Sequence, residues 1–389
     1  MNDPTMQPVN RRLPLLLLLA TASSAIPLRT PAASQAVHLS GTAHPSSCRG
    51  PLMLSEADLE QYRRDGVILV KGLLSGAELK AAQAESTRLL EAQKPTFPAY
   101  RLINFQGWRT SKAFRTVAMD SSAPGIAAQV MGLMDGEGRV TGREKAKRGG
   151  GKGEKQPQLR VLKDALLAFK AGDSGCGWHT DDKFFWPAED VPPAAEDSGG
   201  GTATGADLQG CNVWIALTPV RAAEGGGLAV APTSFKAPWR EEARRAIAFE
   251  VGSPPTTCEM ASLSPRNHRR LEGLKALHDM EPGDALVHAR YCFHRGEPFR
   301  EKGAAAAALA NGGEGGGGGG AATRVAYSVR YERGDAKIVD NKFERALRQG
   351  KVRGGDRLSD GGAFYPCVWP RPSLRERLAI LAGRVKPDM

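Results

Sequence analysis

After residue 157 the sequence falls into short apolar, β-branched runs, each bounded by Gly, Pro or Asp: Arg160–Lys170, Gly210–Leu217, Gly227–Ala231, Ala285–Phe293 and Thr323–Tyr331. Runs of this length with turn residues at their ends read as strands. They are separated by turns and long loops, and the helical signals stand ahead of them. That order favours a mainly β architecture with flanking helices, a β-sandwich or jelly roll, over an alternating parallel fold.

The helical signals are local and repeated. Ser55-Glu56-Ala57-Asp58 is a capping box, with Leu54 and Leu59 at the spacing of a hydrophobic staple, so a helix is predicted to start there and stop near Gly66. Ser75 to Glu78, flanked by Leu74 and Leu79, repeats the device and opens a second helix from Gly76 to about Gln93. Between them Val67–Val70 is a β-branched strand candidate.

A chain of 389 residues with 41% hydrophobic content is long enough for a substantial core, yet Gly 46 and Pro 26 dilute it unevenly. Three low-complexity stretches, near 136–157, 191–207 and 303–322, read as loop insertions into one domain spanning 51–389. The first holds seven Lys and Arg against three Glu, so part of the formal +11 charge sits in a Gly-rich segment without aromatics. Such a segment cannot stack bases, and it reads as a solvated loop, so a nucleic-acid partner is not expected.

Residues 1–50 combine paired Arg11-Arg12, the apolar run Leu13–Ala20 and a Ser/Ala/Thr-rich continuation with no acidic residue between Asp3 and Glu56. This is the pattern of a targeting segment, a signal peptide or a plastid or mitochondrial transit peptide, which predicts entry into the secretory pathway or an organelle. Its apolar run is too short to span a bilayer, and no later transmembrane span is predicted. The six cysteines form no CxxC pair, which argues against a zinc ribbon or thioredoxin-type site. No Gly-rich phosphate cradle of either common type is present.

Five of the seven histidines follow residue 170. In Cys176-Gly-Trp-His-Thr-Asp181 the i, i+2 spacing points His179 and Asp181 to the same face of an extended segment. Downstream, Pro282-Gly283-Asp284 opens the run ALVHARYCF, which ends at His294-Arg295-Gly296. Two histidines and one carboxylate with open coordination positions select non-haem Fe(II), whereas hydrolytic zinc sites more often use three His or His with Cys. His288 and His294 both share strand parity with Asp284, so parity does not choose between them.

With these pieces in order the chain resembles the phytanoyl-CoA dioxygenase (PhyH-like) family of Fe(II)- and 2-oxoglutarate-dependent oxygenases. The resemblance runs from about residue 52 to 335. It rests on LSEADLEQYRRDGVILVKGLLSGAEL, LLAFKAGDSGCGWHTDDKFFWP, NVWIALTPVRAAEGGGLAVAPTSF, MEPGDALVHARYCFHRGEP and TRVAYSVRYE. It implies a double-stranded β-helix, the cupin-like jelly roll. His179, Asp181 and His294 then look like the iron ligands and catalytic centre, His294 because the distal ligand in the family closes the strand about ten residues after Gly-Asp.

Arg324 matches the family's anchor for the 2-oxoglutarate carboxylate once the 303–322 insertion is subtracted, although Arg330 shares its strand face. An Arg suits that task because its fork offers two parallel donors. Lys170, Trp178 and Trp214 look like pocket positions, with strand-core packing as the competing account, and Phe184, Phe185 and Trp186 suggest an apolar wall. The chain departs from the family pattern at Arg295-Gly296-Glu297, where Ser or Asn often follows the distal histidine. It departs again at Phe235, where His is frequent, and at Gly-Gly in place of the common Asn-Gly.

The implied chemistry uses dioxygen and decarboxylates 2-oxoglutarate to succinate while a C–H bond of a small organic or lipid-like substrate is hydroxylated. Retention of Asp181 argues against halogenation, which in related enzymes needs that carboxylate replaced. The rival reading is a catalytically silent jelly-roll protein that binds a small molecule.

Overall fold

A computed structural model of the protein describes residues 52–92, 101–134, 157–173, 177–181, 185–189, 210–236, 260–261, 264–300, 323–340, 344–372 and 377–378. The chain divides into Met1–Gln35, wholly outside these residues, and Ala36–Met389, to which everything below belongs. The targeting segment expected over 1–50 therefore lies outside the described residues, as do the three insertions apart from residue 157. No helix among the described residues is long and apolar enough to cross a membrane.

The opening follows its local signals. Helix α1 (Glu56–Asp65) is capped by Ser55, whose hydroxyl accepts from Asp58 N–H while the Asp58 carboxylate accepts from Ser55 N–H, and it ends at Gly66 with φ 71°. Strand β1 (Val67–Val70) follows, then α2 (Gly76–Ala92). Gly66 is needed twice over, because its backbone is left-handed and a Cβ there would stand 2.4 Å from the Phe235 ring. This close approach is the place Phe235 fills.

The strands form one large antiparallel sheet. Its members are β1, β2 (Leu102–Phe105), β3 (Leu159–Lys170), β5 (Gly210–Ala216), β7 (Ala285–Ala289), β9 (Thr323–Arg333) and β11 (Cys367–Trp369). Their order is β1-β7-β5-β9-β3-β11, with β2 also on β3. A smaller antiparallel pair joins β6 (Leu228–Val230) to β8 (His294–Gly296), and β4 (Ala188–Glu189) pairs with β10 (Lys337–Ile338). Curled antiparallel sheets with helices outside are the expected jelly roll.

The two faces of β9 separate core from site. Val325, Tyr327, Val329 and Tyr331 are buried in the main apolar cluster with residues of α1, α2, α3 (Gly107–Thr110), α4 (Lys112–Met119) and α5 (Ala123–Val130). Tyr327 stacks on Phe114 with ring centroids 4.5 Å apart, and the Tyr331 hydroxyl donates to Ala118 O at 2.8 Å. Arg324, Ala326, Ser328 and Arg330 occupy the opposite face, where Ala326 joins Trp214, Leu286, Val67 and Leu69 in a cluster that includes Val230 of the smaller sheet.

One expected strand is two. The run Ala285–Phe293 leaves the large sheet after Ala289, where Cys292 N–H donates to Ala289 O and closes a turn, and β8 begins at His294. The run carries no Gly or Pro to mark the break. It is made by partners distant in sequence: Arg290 reaches over to Glu332 at 3.2 Å and to Ala188 O at 2.5 Å, while His294 pairs with Val230. His288 and His294 thus lie in different sheets, and a shared parity with Asp284 does not describe them. Asp284 itself locks the entry to β7, accepting from Gly72 N–H, Glu281 N–H and Lys71 Nζ, each at 2.8 Å.

Candidate metal centre

His179 and His294 are brought together by backbone pairing. They form an antiparallel bridge in which each N–H donates to the other's carbonyl at 3.0 Å, so their side chains emerge side by side with ring centroids 4.5 Å apart. Asp181, two residues on, returns to the same side, and one ligand atom from each of the three lies within 4.8 Å of the others. Asp181 Oδ1 stands 3.6 Å from His294 Nε2.

The imidazole tautomers follow from their partners. His179 Nδ1 lies 2.6 Å from Gly177 O and His294 Nδ1 lies 3.0 Å from Cys292 O. A carbonyl only accepts, so both Nδ1 atoms carry the proton and both Nε2 lone pairs remain for a metal. Burial, reinforced by His294, pushes His179 down to about 4, which keeps it neutral near pH 7. Burial pushes Asp181 upward, but Arg330 and His294 outweigh it and hold the carboxylate well below its usual range. Two neutral nitrogen donors and one anionic oxygen, with no fourth His, Cys or carboxylate among the described residues, fit a divalent iron site with open positions.

His288 does not join this set. It is 1% exposed, its ring packs 4.6 Å from that of His294, and both its nitrogens are engaged. Nε2 accepts from Asn212 Nδ2 at 3.1 Å, Nδ1 donates to Ala289 O at 3.1 Å, and Asn212 Oδ1 accepts from Ser328 Oγ at 2.7 Å. It is a satisfied core histidine behind the site.

The two arginines on the inner face of β9 have different partners. Arg330 Nε donates to Asp181 Oδ2 at 2.7 Å, its guanidinium lies 3.8 Å over the Phe185 ring, and its Nη1 is buried without a partner among the described residues. Arg324 pairs with Glu224, lies 5.4 Å over the Phe299 ring, and keeps its Nε buried without a partner among the described residues. Gly226, with φ 76°, makes the approach to Arg324 possible, since a Cβ there would stand 2.8 Å from Arg324 Cγ and 2.5 Å from Phe299 Cζ. The Gly-Gly departure of the middle motif thus lies against the arginine.

The remaining expected site residues separate. Trp214 is buried on the inner face, opposite Ser328 and Leu286. Lys170 is exposed at the end of β3, one residue beyond inward-facing Phe169, and is not brought to the cluster. Trp178 turns away from His179 and donates to Glu272 Oε1 at 2.9 Å on α6 (Pro265–Leu274). Trp186 is buried in the cluster around β4 and β10, under Arg290, while Phe185 reaches Arg330; Phe184 lies outside the described residues.

The Arg295-Gly296-Glu297 departure also has a structural account. Arg295 is paired with Glu272 and Glu297, and Lys275 bridges the same two carboxylates at 3.2 and 3.1 Å, tying the strand of the distal histidine to α6. Glu224 and Glu272 went unforeseen in sequence, since nothing in their local context distinguishes them from solvated acids.

The sequence matches the family described as phytanoyl-CoA dioxygenase (PhyH) over residues 62–305. No curated protein matches it in sequence. Among solved structures the chain is similar to the non-heme alpha ketoglutarate dependent carbocyclase SnoK from nogalamycin biosynthesis. That likeness has a TM-score of 0.51 at 18% identity, covering 82% of this chain and 100% of that one. It is also similar to EctD from S. alaskensis with 2-oxoglutarate and 5-hydroxyectoine, with a TM-score of 0.44 at 14% identity over 76% and 81% of the two chains. A third is HygX from Streptomyces hygroscopicus with nickel and 2-oxoglutarate bound, with a TM-score of 0.44 at 14% identity over 79% and 99%. The likeness to the first is one of fold.

Proposed function

The chain belongs to the phytanoyl-CoA dioxygenase family, and we propose that it is an Fe(II)- and 2-oxoglutarate-dependent dioxygenase that hydroxylates a C–H bond of a small organic or lipid-like substrate. The observation that carries this reading is the convergence of His179 Nε2, Asp181 and His294 Nε2 on the inner face of a jelly roll. When bound, iron with 2-oxoglutarate and dioxygen supplies the oxidising power, releasing succinate and carbon dioxide.

This chain's residues supply the rest. The carbonyls of Gly177 and Cys292 fix the rings of His179 and His294 so that their lone pairs face one point. Arg324 anchors the distal carboxylate of 2-oxoglutarate: both arginines are buried and each has one nitrogen without a partner among the described residues, but the partner of Arg330 is the metal-triad carboxylate Asp181, whereas the partner of Arg324, Glu224, is no part of that triad. Trp214, Leu286 and Ala326 keep water from the inner face. The cluster of Ile103, Phe105, Phe169 and Phe299, with Phe185 edge-on to Phe105 at 5.7 Å, supports an apolar substrate. The composition of residues 1–50 supports delivery to an organelle or the secretory route.

Anaerobic addition of Fe(II) and 2-oxoglutarate to the full-length protein is expected to produce a weak visible charge-transfer band that Asp181→Ala abolishes. Admission of dioxygen is then expected to release succinate even without substrate. A silent binding protein of the same fold gives neither signal, and their absence in folded protein refutes the assignment.

A further inference from the structure

We infer that Arg330 is a positioning residue that holds Asp181 to a single ligand oxygen, a task separate from that of Arg324 on the same strand face. The inference rests on the iron-site reading above. A carboxylate beside a metal can offer one oxygen or both. Here Oδ2 is taken by Arg330 Nε at 2.7 Å, and Oδ1 is the oxygen that stands 3.6 Å from His294 Nε2. The side chains are 4% and 2% exposed, so water does not compete for either oxygen.

Arg330 is itself held from both ends. Its backbone lies within β9 opposite Asn212, and its guanidinium is stacked on Phe185. Asp181, by contrast, follows a single bridge residue and belongs to no strand. A fixed planar donor beside a carboxylate on irregular backbone sets the orientation of the carboxylate, not the reverse.

The chemical consequence concerns open positions. Two imidazoles and one oxygen leave room on a six-coordinate ion for a chelating keto acid and one further ligand, whereas a second Asp181 oxygen would close one of those positions. Arg330 thereby guards the co-substrate's place without touching it.

The test uses full-length wild-type protein, Asp181→Ala, Arg330→Gln and Arg330→Lys, loaded with Co(II) as the probe and titrated with 2-oxoglutarate without turnover. The wild type is expected to bind Co(II), with visible bands lost in Asp181→Ala; if it does not, the iron-site reading itself fails. Given that binding, Arg330→Gln is expected to alter the Co(II) bands before any 2-oxoglutarate is added. It is also expected to weaken 2-oxoglutarate binding by about 10- to 100-fold, with Arg330→Lys between.

Unchanged bands with weakened co-substrate binding would make Arg330 a direct anchor and overturn the inference, as would wild-type behaviour in both measurements. Should Arg330→Gln not fold, the Lys variant decides on the same two readouts.

Discussion

Asp164 gives this protein a pH dependence of stability opposite in sign to that of most carboxylates. It sits at the register shift in β3, fully buried, on the helix side of the large sheet. Burial raises its pKa from 3.8 to about 6, although the Tyr327 hydroxyl and the Trp108 N–H, the latter at 2.8 Å, donate to it and oppose the rise. A group whose folded pKa lies above its unfolded one stabilises the fold fully below the unfolded value. That stability is lost as pH rises through the folded value.

The difference of roughly two units corresponds to about 3 kcal/mol. Asp164→Asn keeps an acceptor for both donors and removes the titration. Urea unfolding of both proteins between about pH 4 and pH 7 is the assay. The stability of the wild type relative to the variant is expected to fall by about 2 kcal/mol across that window and to level off above it. Parallel curves for the two proteins, or a relative gain for the wild type with rising pH, would refute the reasoning.

Gly226→Ala forces a left-handed residue against Phe299 and Arg324, and is expected to cost roughly 1–2 kcal/mol in backbone strain and to weaken 2-oxoglutarate binding while leaving Co(II) binding intact. Isothermal titration of each ligand checks the split. Glu224→Gln leaves the buried Arg324 without its counter-charge, so the melting temperature is expected to fall and the added stabilisation by 2-oxoglutarate in the metal-loaded protein to grow. An equal ligand-induced shift in both proteins would separate Glu224 from co-substrate binding. Phe114→Ala removes the ring stacked on Tyr327 and is expected to destabilise by about 3–5 kcal/mol in urea unfolding, without changing the Co(II) spectrum.

Much of the frame was legible because its signals are short-range. The Ser55–Asp58 box, the Gly66 stop and the strand runs around β1, β3, β5, β6 and β9 each depend on neighbours a few residues away. The helices between residues 107 and 130 and the edge strand β11 were not foreseen, although Val368 of β11 packs into the main core. Helix α4 carries one local signal, Ser111, whose hydroxyl accepts from Phe114 N–H, whereas α5 and β11 are held by packing against each other and the large sheet. Lys170 shows the limit of motif matching, since its place beside an inward-facing Phe169 is occupied by an exposed side chain.

His179 and Asp181 were readable as a pair because an i, i+2 spacing fixes a common side on extended backbone. His294 was not separable from His288 by period alone, since the turn at Ala289 is written in no residue of the run and is made by Gly66, Glu332 and Val230. Arg324 and Arg330 share a strand face, so their assignment rests on partners: Glu224 lies 100 residues from one and Asp181 lies 149 from the other.

The chain's own order of residues thus decided which elements form and which donor types are available, since those follow from backbone preference and side-chain chemistry. Which histidine meets the carboxylate, and which arginine holds it, was decided only when two sheets closed on each other, because contacts across a fold depend on distances that no spacing along the chain encodes.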